Sequence, residues 1–296
     1  MPRGMRSFRR ARRAALLAAL LAVGLSGCSL GTSGAIGNSG GSAPVGGDTA
    51  GPSTANVHSV SPASGSVKGG TTVTVTGATL SAVRTVRVGG AVVPATAHAG
   101  SVTFTTPPAA AFVSATDAVV LRSGSGATVA TTTYRYRVVG GVDRELAYML
   151  KYWKHYNPAF EALDDNDCVD FTSQALLQRG WKQQDDWVHA AAVLDSGLAW
   201  RSSTSFRNFM EDHPELGTAL TDQQRSKVKL GDVVQFDWDG SGDRDHTGVV
   251  TRITKSKSGH IEIFFAGHTN DSDYRSVDTA ITKDHPGGVA FYWSLK

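Results

Sequence analysis

The sequence predicts a multidomain chain: an all-β sandwich followed by an α+β domain with helices on an antiparallel sheet. Three observations carry that reading. From Val57 to about Val138, short runs alternate apolar with polar residues between Gly, Pro and Ser breaks. All six tryptophans fall beyond residue 140. In that second half, helical spacing comes first and strand-like runs come later.

The first 28 residues read as a targeting segment. Six arginines lie in the first thirteen positions, followed by the apolar run "AALLAALLAVGL" and then "LSGC". The run is too short to span a bilayer, and the basic, apolar, small-residue order is that of a secretory signal. "LSGC" resembles a bacterial lipobox, which implies that Cys28 becomes the lipidated N-terminus of the mature protein. Several acyl chains on one residue make a stable membrane anchor, so the expected address is extracytoplasmic and membrane-bound. Without the six signal arginines the chain has 23 basic against 26 acidic side chains, net −3. On that balance neither nucleic acid nor an anionic surface is expected as a partner.

Residues 29–56 are rich in Gly, Ser and Ala and carry almost no large apolar side chain. They read as a flexible tether with a reach of roughly 30 Å. Residues 57–139 hold the runs "TTVTVTGATL", "TVRVGGAVV", "SVTFTTP", "DAVVLRS" and "TYRYRV", spaced as in a sandwich. Together with "VHSVSPASGSVKGG", "VTFTTPP" and the closing "TTYRYRV", they resemble an IPT/TIG domain, an immunoglobulin-like module. That resemblance implies a spacer or binding unit and no chemistry of its own.

Residues 141–296 form the second folded part. "DRELAYMLKYWKHY" sets Leu146, Met149, Leu150 and Trp153 at helical spacing behind Asp143, a candidate N-cap. A second helix starts within "DDND" and ends at Gly180, and "WRSSTSFRNFM" reads as a short amphipathic helix. The strand-like runs are "GDVVQFDW", "HTGVVTRI", "HIEIFFAG" and "VAFYWSL".

If Cys28 carries lipid, Cys168 has no intramolecular disulfide partner. It shares a helical face with Phe171, Thr172, Ala175 and Leu176, which is the pattern of a packed cysteine. Its place at the helix start is that of a reactive thiol, because first-turn amides and the helix dipole favour thiolate. Asp164, Asp165, Asp167 and Asp170 oppose ionisation, so both readings stay open. Of the nine histidines, His246 opens an apolar strand in "DHTGVV", with Gly248 leaving room over the sheet end. His268 ends the next strand in "FFAGHTND", so adjacent antiparallel strands bring the two rings together as base and orienter.

"YNP" at 156–158, "DCVDFTSQAL" at 167–176, "LGDVVQFDWDGSGDRDHTGVV" at 230–250 and "GHTND" at 267–271 resemble the bacterial putative amidase domain family. That family is related to the CHAP and NlpC-type hydrolases of the papain-like superfamily. The resemblance implies a papain-like amidase domain over 141–296, with Cys168 as nucleophile and His246 as general base and acid. It also implies His268, or else Asn270, as the orienting group. The family commonly shows "DCTNF", so Val169 and Asp170 are departures that bear on substrate contacts and thiolate formation. The implied chemistry is thioester acyl transfer from an amide, with cell-wall peptide as the expected substrate class. Tyr156 and Asn157 are candidates to line the cleft, and Trp187 and Trp200 to stack on wall sugars, although core packing is the commoner role of tryptophan.

No cofactor is called for. There is no HExxH, HxH or paired-cysteine motif for a metal. "DWDGSGDRD" echoes the first half of a calcium loop from Asp237 to Asp245, but its twelfth position is Gly248, so it reads as a polar hairpin turn. The competing class is a non-catalytic envelope-binding lipoprotein that holds wall fragments or a partner.

Overall fold

The computed structural model describes residues 55–163 and 166–296. The targeting segment, Cys28 and nearly all of the tether lie outside the described residues. Alternation in the first half produces two facing sheets. One has the order β1-β3-β7-β6, from β1 (Asn56–Ser61), β3 (Thr72–Ala78), β6 (Thr96–His98) and β7 (Ser101–Thr105). The other has the order β2-β9-β8-β4-β5, from β2 (Ser64–Ser66), β4 (Val83–Val88), β5 (Ala91–Pro94), β8 (Thr116–Ser123) and β9 (Thr128–Arg137). Val73, Val75, Val86, Leu121 and Tyr134 are among the side chains buried between them.

The chain enters the second half through α1 (Gly141–Tyr152). Asp143 is not the N-cap; from inside the first turn its Oδ2 accepts the main-chain N–H of Val139 at 2.9 Å and of Gly140 at 3.4 Å. Its Oδ1 accepts the Ser66 hydroxyl from β2 at 2.5 Å, which ties the helix start to the sandwich. α2 (Cys168–Arg179) ends at Gly180, whose φ of 112° is a left-handed cap. α3 (Leu198–Arg201) and α4 (Ser203–Asp212) follow.

The six-stranded sheet has the order β10-β15-β11-β12-β13-β14 and every pairing is antiparallel. Its strands are β10 (Gly217–Thr221), β11 (Val233–Asp237), β12 (His246–Lys255), β13 (Ile261–Gly267), β14 (Ser272–Ser276) and β15 (Val289–Leu295). α2 packs on its central strands. Val233 and Trp293 join the Cys168, Trp200 and Phe206 cluster on that side, while Val249 and Ala266 pack with Phe171 and Ala175. The opposite face is covered too: Val234, Phe236, Val250, Phe265 and Tyr292 pack with Val277 and Ala280 of the segment after β14. β11 and the first half of β12 are therefore buried on both faces.

Candidate functional site

Cys168 is the first residue of α2, with the helix laid across β12 and β13. Its side chain is 1% exposed. Sγ lies 3.8 Å from Ser203 Oγ at the start of α4. Burial pushes the thiol pKa up; the main-chain N–H of Thr247, the Ser203 hydroxyl and the N–H of Val169 pull it down, and Asp167 adds to the rise. Ser203 Oγ is in turn 2.9 Å from Thr247 Oγ1, which accepts Gln235 Nε2 at 3.1 Å. The sulfur thus sits against a buried hydroxyl pair, with donors aimed at it from three elements.

His246, expected as the base, is on the other side of the sheet. Side chains alternate along a strand. Thr247 and Val249 face the helices, so His246 and Val250 face the opposite layer. The ring packs among Phe236, Trp238 and Phe265 at centroid distances of 5.9, 5.9 and 5.8 Å. It is 5% exposed, and burial, with Arg275 and His285 nearby, lowers its pKa to about 3. It makes no hydrogen bond to Cys168. The pairing of thiol and His246 read from the sequence is therefore not assembled. The register of β12 carries the ring through the sheet, and the bulge in the β12–β13 pairing comes only after Val250.

His268 lies on the helix side, but it orients Asp167 rather than His246. Nδ1 is 2.5 Å from Asp167 Oδ2, and Nε2 is 2.9 Å from the Tyr152 carbonyl oxygen. A carbonyl only accepts, so Nε2 carries a proton, and a second proton lies between Nδ1 and the carboxylate. The ring is stacked between Phe171 at 3.6 Å and Tyr156 at 3.8 Å. Neither nitrogen offers a lone pair to the sulfur. Asn270 is exposed in the turn after β13 and holds neither imidazole.

Tyr156 is 37% exposed and its hydroxyl donates to Asp271 Oδ1 at 2.9 Å, so it forms the outer wall over His268. Asn157 is turned inward, donating to the Tyr148 hydroxyl at 2.9 Å and accepting from Ala159 N at 3.1 Å. Trp187 and Trp200 are fully buried and stack on no solvent-facing surface. Trp187 Nε1 donates to Ser173 Oγ at 2.9 Å, and Trp200 Nε1 donates to Asp170. The sugar-stacking role expected of them is corrected to core packing.

Asp170 does not crowd the thiol. Its carboxylate takes Trp200 Nε1 and, at 2.5 Å, Gln174 Nε2, while Gln174 Oε1 accepts the Tyr148 hydroxyl at 2.5 Å. Burial raises its pKa to about 7, with Asp167 contributing. Sequence reasoning missed Ser203, Thr247, Gln174 and the pairing of Asp167 with His268. Only Asp167 carried a signal, read there as an opposing charge.

Asp237, Asp239, Asp243 and Asp245 bring one carboxylate oxygen each to within 4.8 Å of one another, the arrangement that would hold a cation. The loop already uses its own donors: Asp237 accepts Gly240 N at 2.7 Å and Gly242 N at 2.9 Å, and Asp245 accepts Trp238 N at 2.6 Å.

A cysteine-headed helix on an antiparallel sheet, behind a β-sandwich, is the class this architecture defines. Residues 142–292 match the family described as "Putative amidase domain", and residues 55–136 match the IPT/TIG domain. The chain belongs to the putative amidase domain family, whose description points to amide hydrolysis. It is similar to "Uncharacterized protein YhbB" of Bacillus subtilis, 25% identical over 130 residues that make up 40% of this chain and 37% of that one. Two Bacteroides ovatus structures are similar in part. One is the mixed-linkage glucan utilization locus SGBP-B in complex with a heptasaccharide: 9% identity, 76% of this chain, 47% of that chain, TM-score 0.20. The other is an auxiliary nutrient binding protein: 13% identity, 72% of this chain, 43% of that chain, TM-score 0.23. Likenesses at these TM-scores carry nothing over to this chain.

Proposed function

We propose that the C-terminal domain is an amide hydrolase of papain-like type with Cys168 as nucleophile, held at the cell envelope by a lipidated Cys28 and acting on cell-wall peptide. One observation supports this beyond family membership: the thiol heads α2 with the Thr247 and Val169 N–H groups and the Ser203 hydroxyl aimed at it. Such donors stabilise a thiolate, and after attack on a carbonyl they suit a developing oxyanion. The sulfur bonds to the carbonyl carbon, the amine leaves with a proton, and water then releases the acyl group from the thioester. Substrate entry and proton removal both require a state in which the sulfur is open and an imidazole reaches it, since His246 faces away and His268 is fully engaged.

A second reading is favoured by the burial itself. A thiol 1% exposed with a raised pKa is that of a packed cysteine, in a domain that holds wall fragments without cleaving them. Iodoacetamide labelling of native protein between pH 5 and 9 separates the two. Labelling well below pH 8, together with loss of wall-fragment release in Cys168→Ala, supports the hydrolase. Resistance until denaturation, or equal release by Cys168→Ala, overturns it.

A further inference from the structure

The net charge of −3 conceals two opposite halves. Residues 55–140 carry six basic side chains and one acidic one, net +5, while residues 141–296 carry 17 basic against 24 acidic, net −7. Five of the six basic groups are arginines on β4, β8 and β9 of the five-stranded sheet: Arg84, Arg87, Arg122, Arg135 and Arg137. Val86, Leu121, Tyr134 and Tyr136 face the sandwich core, so alternation turns Arg87, Arg122, Arg135 and Arg137 to the outer face. Register makes two of them neighbours. Thr85 pairs with Arg122 and Arg87 with Val120, which sets Arg87 and Arg122 diagonally on adjacent strands, Cβ atoms roughly 7 Å apart.

None of the five arginines forms an ion pair among the described residues. The Nε atoms of Arg87 and Arg122 are buried and have no acceptor. A buried unpaired donor is costly in a finished fold, and two side by side on a charged face point to an acceptor that comes from outside.

We propose that this outer sheet face binds a phosphodiester polyanion. The guanidinium fork matches phosphate oxygens in pairs, and the face uses arginine throughout with no lysine. A bilayer surface fits less well. Insertion into headgroups calls for exposed aromatic or large apolar anchors, and this face offers Val92, 57% exposed, among threonines. The proposal is independent of the chemistry of the C-terminal domain.

The test measures binding of the purified protein to synthetic poly(glycerol phosphate) at 50 and 200 mM NaCl, beside phosphatidylcholine vesicles containing phosphatidylglycerol. With about four phosphates neutralised on a flexible chain, affinity falls roughly 50-fold between the two salt concentrations. The double variant Arg87→Gln, Arg122→Gln is expected to bind on the order of tenfold more weakly at 50 mM with a shallower salt slope. The only bond lost inside the fold is the long one from Arg87 Nη1 to the Gly89 carbonyl at 3.4 Å, so the thermal midpoint should fall little, and Cys168→Ala should bind as wild type. Arg135→Gln, Arg137→Gln provides a second, exposed pair. No binding at 50 mM, binding unchanged in both double variants, or binding to the vesicles without the soluble polymer each overturns the proposal.

Discussion

The placement of His246 yields a measurement that separates two opposite expectations. An imidazole paired with a thiolate is stabilised as the cation, and its pKa rises above about 6.5. The ring described here is enclosed by Phe236, Trp238 and Phe265 with Arg275 and His285 nearby, and its pKa is lowered to about 3. A histidine whose folded pKa lies below its unfolded value keeps its contribution above pH 6.5 and loses it as pH falls toward 3. Between pH 7 and pH 4.5 the unfolded chain takes up about three-quarters of a proton that the folded one refuses, which removes about 2.5 kcal/mol. Other buried groups titrate in the same range, so the comparison is with His246→Phe, which keeps an aromatic ring in the site and lacks the titration. Urea unfolding at the two pH values is expected to show wild type losing about 2.5 kcal/mol more than the variant. In proton NMR, the ring signal absent from His246→Phe should stay in its neutral position down to pH 4.5. A signal titrating at or above 6.5, with no difference between the two proteins in urea, would refute the reasoning and put His246 back beside the thiol.

Two further substitutions probe the helix side of the sheet. Asp167→Asn leaves the doubly bonded His268 without its carboxylate in a fully buried site and is expected to cost about 3–5 kcal/mol by urea unfolding; a loss below about 1 kcal/mol would mean that the pair is not formed. Asp170→Asn keeps the shape of the side chain and removes its titration. Because the Asp170 pKa is raised from 3.8 to about 7, wild type loses stability as pH climbs from 4 through 7 and the variant does not. The difference in urea midpoint should move in favour of the variant across that range, and a constant difference counts against a buried carboxyl there.

The parts of this molecule that were legible in its sequence are those where one face is buried and the other wet. "TTVTVTG" becomes β3 with Val73 and Val75 inward, and "CVDFTSQALLQRG" becomes α2 closed by a left-handed Gly180. Between His246 and Thr251 the same logic fails for a physical reason. All six residues are buried, since helices cover one face of the sheet and the segment after β14 covers the other. When both faces are dry, hydrophobic alternation no longer tells which set of residues meets which layer, and a shift of one position exchanges Thr247 for His246. The donors around Sγ were invisible for a related reason: Ser203 and the Thr247 amide come from 35 and 79 residues further along the chain, with nothing local to mark them. That one-residue parity also bears on chemistry. On the helix side of β12, the position next to the sulfur presents the Thr247 amide and hydroxyl, which can stabilise negative charge but cannot take up a proton at neutral pH. The Thr247 amide and the His246 ring are thus separated by the thickness of one strand, and a hydrolytic cycle of the kind proposed for Cys168, if His246 is its base, has to bring them to the same face.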